Sequence, residues 1–248
     1  PSGASTGQYE ALELRDGDAS SYGGNSVYRA ISNIREKIAP ALRRMNVTGQ
    51  ETIDRTMIEL DGTENKSALG ANAILGVSMA VANAAASAAG LPLHAYLGNG
   101  EGTLLPLPEI QIIGGGAHAN WRTDVQDFLV MATGARTYVE TLEITHNVYH
   151  AAGDLLKERN QYLGLADEGG FWPDFETNEA VFDFFVEAIE RAGYTPGVEA
   201  AISLDIAAAD LYADGRYRFE LEDRTFSSDE FVDLLSGWCE KYPIISIE

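Results

Sequence analysis

Residues 165–173 of the chain read Leu-Ala-Asp-Glu-Gly-Gly-Phe-Trp-Pro, and the interpretation of the whole sequence starts from this stretch. Gly169 and Gly170 permit positive φ angles and close approach of the backbone, and Pro173 ends regular structure. A turn of this composition can present the Glu168 carboxylate to a cleft. The same composition is also found in ordinary polar loops. Residues further along the chain are needed to distinguish a turn at a cleft from an ordinary loop.

Two short apolar segments downstream each end in a carboxylate. Residues 201–205 read Ala-Ile-Ser-Leu-Asp, and residues 244–248 read Ile-Ile-Ser-Ile-Glu. Acidic residues at the carboxyl ends of strands that alternate with helices are typical of a (β/α) barrel face that holds a hard divalent cation. This pattern favours a position for Glu168 in a cleft.

Composition argues against several kinds of partner. Acidic residues outnumber basic ones by 38 to 17, which gives a formal net charge of −21. Nucleic-acid binding requires a basic surface, so we expect no nucleic-acid partner. A small phosphorylated substrate is compatible with this charge where metal ions neutralise the local field. The single cysteine, Cys239, cannot form an intrachain disulfide and fits a reducing, cytoplasmic compartment.

Residues 67–100 carry no Asp, Glu, Lys or Arg, which raises the question of a membrane span. The segment is rich in Ala, Gly and Ser rather than Leu and Ile, and Gly90 and Pro92 interrupt it. We therefore predict a buried, Ala-rich helix packed on a neighbour, and no membrane partner.

Hydrophobic periodicity divides the chain into two predicted domains, residues 1–103 and 104–248. The first is α+β, with a strand near residues 9–14 followed by helices. The second is α/β and is predicted to contain two strands, two helices, a strand, a hairpin, a helix and a last strand. These elements are expected at residues 110–113, 128–131, 138–160, 181–192, 201–205, 211–219, 227–238 and 244–248.

Six stretches, in this order, resemble the enolase (phosphopyruvate hydratase) family along essentially the whole chain. They are residues 1–7, 10–18, 60–67, 70–75, 167–170 and 242–248. The resemblance implies an N-terminal α+β domain without its first strands, followed by the first part of an enolase-type (β/α) barrel that starts ββαα. It also implies a homodimeric, Mg²⁺-dependent glycolytic lyase that interconverts 2-phosphoglycerate and phosphoenolpyruvate.

The resemblance assigns residues to a metal site. It implies that Asp205 and Glu248 are ligands of a structural Mg²⁺. Ser5 would lie on a mobile loop that closes over the substrate and reaches a second Mg²⁺. A third carboxylate ligand and a base lysine would follow Glu248, because the 145 residues from Leu104 onward are fewer than the roughly 250 of a closed barrel. We expect the 248-residue chain alone to be inactive and poorly stable.

The resemblance also assigns the catalytic residues. Glu168 would assist departure of the substrate hydroxyl, and His118 would point into the substrate site. Gln126 and Asp127 match a paired Gln-Glu of the family, with Asp127 in place of a catalytic Glu. These residue types suit the reaction, because hydroxide needs an acid as it leaves and an ene-diolate dianion needs cations to stabilise it.

Several residues near the expected substrate site depart from the family pattern. Asn usually stands where Gln111 and Gly114 are, Glu where Asp127 is, and Ser or Glu where Ala117 is, and Trp121-Arg122 is bulkier than usual. Two hypotheses follow for the function. Either the protein is a weakened enolase that Asp127→Glu would improve, or the pocket was rebuilt around Asp127. The second hypothesis includes a paralogue with an altered substrate, or a scaffold without catalysis.

A competing hypothesis is a zinc site on one face of the 138–160 helix. His146 and His150 are spaced i, i+4, and Glu143 lies one turn earlier. The residues between the histidines, Asn147-Val148-Tyr149, lack the Glu of a metalloprotease. Packing or capping roles for the histidines are therefore favoured.

Overall fold

The structure of the protein is a computed structural model that describes residue 7 and residues 9–248. The chain folds as two compact units that divide after Leu104.

The described part of the first unit is built from helices. They are α1 (Tyr28–Asn33), α2 (Ala39–Leu42), α3 (Gln50–Asp61), α4 (Ala71–Ala88) and α5 (Leu93–Leu97), with a π-helical turn, Ile34–Ile38, between α1 and α2. Pro40 lies in α2, which continues directly from the π-helical turn and ends at Leu42. The core of this unit contains Leu14, Ala30, Ile38, Ile53, Met57, Leu69, Ala73 and Ile74.

The strand predicted at residues 9–14 is wrong. This segment is extended, but its backbone groups pair with a loop and with the start of α4 rather than with a neighbouring strand. Leu12 N donates to Asn65 O at 2.7 Å, Ala71 N donates to Leu12 O at 2.8 Å, and Leu14 N donates to Asn72 Oδ1 at 3.1 Å. No strand occurs among the described residues of the first unit.

Helix α4 is less buried than the sequence predicts. Only Ala73, Ile74, Ala85 and Ala86 are buried, and the rest of the helix is partly or fully exposed. Its 18 residues are long and apolar enough to cross a membrane by length and composition. Core helices of soluble domains meet the same criterion, so this helix is weak evidence for a membrane span.

The second unit contains the strands and the longest helices. They are β1 (Ile110–Gly114), β2 (Asp127–Met131), α6 (Tyr138–Glu158), α7 (Asn178–Arg191), β3 (Ala201–Asp205), α8 (Ala208–Leu211), β4 (Tyr212–Ala213), β5 (Arg216–Phe219), β6 (Arg224–Phe226), α9 (Ser228–Lys241) and β7 (Ile244–Ile247). The ββαα order that opens the predicted barrel is therefore confirmed. The hairpin and the final strand also form where the sequence predicts them.

The helices of this unit begin where the sequence supplies an N-cap. Thr137 and Thr177 accept hydrogen bonds from the backbone N–H groups of Glu140 and Ala180, at the starts of α6 and α7. Ser227 and Glu230 form a capping box at the start of α9. Helices α6 and α7 bury their apolar faces in the core that they share with the sheet. The buried residues of these faces include Val148, Leu155, Leu156, Val181, Phe182, Phe185 and Ile189.

Four strands form the main sheet in the order β1-β2-β3-β7. The first two pairings are antiparallel and the third is parallel. As a result, the carboxyl ends of β1, β3 and β7 and the amino end of β2 meet at one edge. Gly114 pairs with Asp127, and Asp127 pairs with Asp205. Glu248 follows β7 beside Asp205, and we call this side of the sheet the carboxylate edge.

Candidate active site

Glu168 lies in a tight turn whose two arms are hydrogen-bonded to each other. Ala166 N donates to Gly170 O at 2.7 Å, and Gly169 N donates to Ala166 O at 3.0 Å. The turn closes because Gly169 adopts a φ of +97°, which side chains strongly disfavour. Glu168 is exposed in the turn, and its position in a cleft stays a prediction.

The turn is attached to the carboxylate edge through Phe171. Phe171 N donates to Ile112 O at 2.8 Å, and Gly114 N donates to Phe171 O at 3.1 Å, so residue 171 continues the sheet beside β1. The Phe171 ring is buried and stacks on Tyr149 of α6 at a centroid distance of 4.5 Å. These contacts hold the Glu168 turn against a rigid part of the fold.

His118 is fixed to the same turn from the other side. It lies in a short 3₁₀ helix, Gly116–Ala119, between β1 and β2. Its Nδ1 lies 2.7 Å from Asp167 Oδ1, and Trp172 Nε1 donates to the His118 carbonyl at 3.2 Å. The second ring nitrogen, Nε2, is buried and has no hydrogen-bond partner among the described residues. A buried nitrogen without a partner is available to a ligand.

Asp127 and Gln126 connect these groups to β3. Both side chains are buried. Gln126 Nε2 donates to Asp127 Oδ2 at 3.2 Å and to Asp205 Oδ2 at 2.9 Å. Gln111 Nε2 donates to Asp127 Oδ1. The Asp127 carboxylate therefore has an amide donor on each oxygen.

The pKa values of two carboxyl groups in the site, those of Asp127 and Glu168, are raised. Burial raises the pKa of Asp127, although the amide hydrogen bonds oppose this effect. Partial burial raises the pKa of Glu168, and the negative charge of Asp127 raises it further. A carboxyl group that keeps its proton to higher pH can serve as a general acid.

Asp205 and Glu248 are the residues that could hold a cation. Glu248 N donates to Leu204 O at 2.8 Å, and Ile206 N donates to Glu248 O at 3.1 Å, so the two acidic residues follow neighbouring parallel strands. Hard carboxylate oxygens suit Mg²⁺, which commonly uses one or two carboxylates and completes its shell with water and substrate. Within residues 7 and 9–248, no cluster of three or more His, Cys, Asp or Glu is arranged to hold a metal ion. Ser5 lies outside the described residues.

The structure offers no support for a zinc site on α6. His146 and His150 are exposed, with ring centroids 4.3 Å apart, so they are not core or capping residues as favoured above. Glu143 is also exposed, and among the described residues it does not complete a three-ligand cluster with them.

Two contributions to the site were not predicted from the sequence. Asp167, the partner of His118, was noted only as part of the turn. The sequence marks Gln111 only as a departure from the family pattern. A polar residue inside the apolar segment of β1 is nevertheless a signal that its side chain has a buried hydrogen-bond partner.

The fold and the site together define a two-domain protein with a helical first unit and a barrel-type second unit that gathers acidic residues at its strand ends. The family model "Enolase, N-terminal domain" matches residues 1–97, and "Enolase, C-terminal TIM barrel domain" matches residues 102–248. The chain belongs to the enolase family.

Proposed function

We propose that this protein is an Mg²⁺-dependent carbon-oxygen lyase that reversibly dehydrates 2-phosphoglycerate to phosphoenolpyruvate, the glycolytic reaction of enolases. Membership of the enolase family supports the reaction class. The observation that carries the proposal is the convergence of Glu168, Asp127 and His118 on the carboxylate edge that also bears Asp205 and Glu248.

Glu168 is proposed to assist departure of the substrate hydroxyl. It is exposed in a turn that is tied to β1, and partial burial with the nearby charge of Asp127 raises its pKa, which favours the protonated form that a general acid requires. Hydroxide leaves poorly without such a proton, and general acid catalysis typically contributes about 10²- to 10⁴-fold.

His118, Gln126 and Asp127 are proposed to bind the substrate and divide the remaining acid-base work. His118 Nε2 is buried without a partner, which suits contact with a polar substrate group. Gln126 Nε2 donates to both Asp127 and Asp205, so it orients the two carboxylates relative to each other.

Asp205 and Glu248 are proposed to hold Mg²⁺, with Ser5 reaching a second ion. When bound, Mg²⁺ would supply positive charge that stabilises the substrate as a proton is removed next to its carboxylate. The same charge makes a phosphorylated hydroxy acid acceptable to a protein of net charge −21. A cytoplasmic location and a homodimeric state are part of the proposal, and the resemblance to enolases supports them.

Direct assay of 2-phosphoglycerate dehydration tests the function, and this and every other kinetic measurement uses the full-length protein, because the 248-residue chain alone is expected to be inactive. Formation of phosphoenolpyruvate should be seen in ultraviolet absorbance, should require added Mg²⁺, and should stop when the ion is chelated. Glycerate without the phosphate serves as the control substrate and should not react. No turnover of 2-phosphoglycerate by folded, Mg²⁺-loaded protein would contradict the proposal and favour an altered substrate or a scaffold.

A further inference from the structure

Gln111 occupies an unusual position between the two catalytic candidates. It is a polar residue inside β1, and only 7% of it is exposed. Its Nε2 donates to Asp127 Oδ1, and its Oε1 accepts a hydrogen bond of 2.7 Å from Gly170 N. A single amide group therefore connects the Asp127 carboxylate to the turn that carries Glu168.

Two glycines provide the space for this amide. A methyl group on Gly114 would lie 3.0 Å from Gln111 Nε2 and 2.6 Å from Ala166 Cβ. A methyl group on Gly170 would lie 2.6 Å from Gln111 Oε1. The two 2.6 Å distances are shorter than real Cβ contacts, so Ala166 requires glycine at residue 114, and Gln111 in this conformation requires glycine at residue 170.

We propose that Gln111 is a positioning residue, which sets the separation between Asp127 and the Glu168 turn, and that Gly170 is glycine to make room for it. The proposal rests on the proposed function, because it assigns Asp127 and Glu168 to one reaction. Three departures from the family pattern, at 111, 114 and 127, then form one contiguous unit of structure.

The lengths of Gln111 and Asp127 are matched in this unit. Both side chains are buried, and Gln111 spans the gap to a short carboxylate. One added methylene at residue 127 would move the carboxylate by roughly 1.5 Å, one C–C bond length, towards an amide that has no space to retreat. This geometry favours the hypothesis that the pocket was rebuilt around Asp127.

A double-mutant cycle tests the matching. We expect Asp127→Glu and Gln111→Asn each to lower kcat on 2-phosphoglycerate by about tenfold or more, since a displacement of ~1 Å can cost about 10²-fold. In the double variant a shorter amide faces a longer carboxylate. Its loss of kcat should be at least about tenfold smaller than the product of the two single losses. Losses that simply multiply, or a rise of kcat in Asp127→Glu alone, would overturn the proposal.

Hydrogen exchange at the Gly170 amide gives a readout that is independent of turnover. Gln111→Asn should speed this exchange, because the shortened side chain no longer reaches Gly170 N. Gln111→Glu has the same length and keeps an acceptor for Gly170 N, so exchange should stay slow while kcat falls. Unchanged exchange in Gln111→Asn would contradict the positioning role.

Two controls separate the possible failures. Gln161→Asn shortens an amide that donates to Asp174 O at 2.8 Å outside the site, and it should leave both kcat and Gly170 exchange unchanged. Wild-type protein without turnover would overturn the proposed function, and the exchange measurements would still decide whether Gln111 holds the Glu168 turn.

Discussion

His118 Nδ1 lies 2.7 Å from Asp167 Oδ1, while the opposite nitrogen of the same ring is buried without a partner. Because a carboxylate only accepts hydrogen bonds, Nδ1 must carry a proton, and Asp167 selects the orientation of the ring. The His118 side chain is 5% exposed, whereas the Asp167 side chain is 63% exposed. Asp167 can therefore be changed with little effect on the core.

Asp167→Ala should lower kcat/KM on 2-phosphoglycerate by about 10- to 100-fold, the loss typical of groups that orient a functional histidine. Its thermal stability should fall only modestly, because Asp167 is largely exposed and water can take its place beside His118 Nδ1. Asp154→Ala is the matched control, because Asp154 is 62% exposed and pairs with Lys157 on α6. Equal activity of the two variants would exclude a role for Asp167 in orienting His118.

Glu168→Gln should lower kcat by about 10²- to 10⁴-fold, because the amide cannot donate the proton that the leaving hydroxyl needs. Substrate binding, measured by calorimetry, should change much less. Glu176→Gln is the control, since Glu176 is also exposed and follows the same loop. A Glu168→Gln variant that retains wild-type kcat would remove Glu168 from the mechanism.

The raised pKa of Glu168 also predicts a pH dependence. A general acid must be protonated, so kcat for dehydration should fall as pH rises through this pKa. The decline should begin at higher pH than for an ordinary glutamate, because partial burial and the charge of Asp127 both favour the protonated form. A profile of kcat against pH that lacks this decline would argue against Glu168 as the acid.

Asp205→Asn should abolish Mg²⁺ binding in calorimetry, because it removes one of two hard carboxylates at the carboxylate edge. Asp210→Asn is the nearby control, in the first turn of α8, and should bind Mg²⁺ as the wild type does. Mg²⁺ binding that persists unchanged in Asp205→Asn would rule out the ligand assignment. An oxygen-only site should bind Zn²⁺ no more tightly than the Irving–Williams order of divalent-metal affinities predicts. Tighter Zn²⁺ binding would therefore also count against the assignment.

Asp124 should be important for stability rather than catalysis. It is 1% exposed, and its carboxylate accepts hydrogen bonds from Glu220 N at 2.6 Å, Leu221 N at 3.3 Å and Asn178 Nδ2 at 2.7 Å. Asp124→Ala leaves these donors unsatisfied and should lower the free energy of unfolding by ~3 kcal/mol in urea denaturation. Asp223→Ala, an exposed neighbour, should change it by less than about 0.5 kcal/mol.

The contribution of Asp124 should also depend on pH. Burial raises its pKa above the ordinary value of 3.8. The folded state therefore binds the proton more tightly than the unfolded chain, and unfolding free energy falls as pH rises through the raised pKa. The difference in stability between wild type and Asp124→Ala should be largest at the acidic end and shrink across this window. A difference that grows with pH would contradict the sign of the shift.

Much of the barrel-type unit could be predicted from local patterns. The strands that lead to Asp205 and Glu248 and the hairpin at Asp214-Gly215 depend on neighbours in the chain, and all of them form where the sequence predicts. The segment at 9–14 was not, because its hydrogen-bond partners come from residues 65–72, and short-range periodicity contains no information about them.

The sequence by itself determined the family, the order of the elements and the residue types at the carboxylate edge, since these follow from the order of residues along the chain. Only the tertiary structure decided which groups meet. Gln111 is 16 residues from Asp127 and 59 from Gly170, yet one buried amide bonds to both. His118 reaches Asp167 across a similar separation. Such contacts depend on strand register and on the space left by Gly114 and Gly170, which are set by packing of the whole unit.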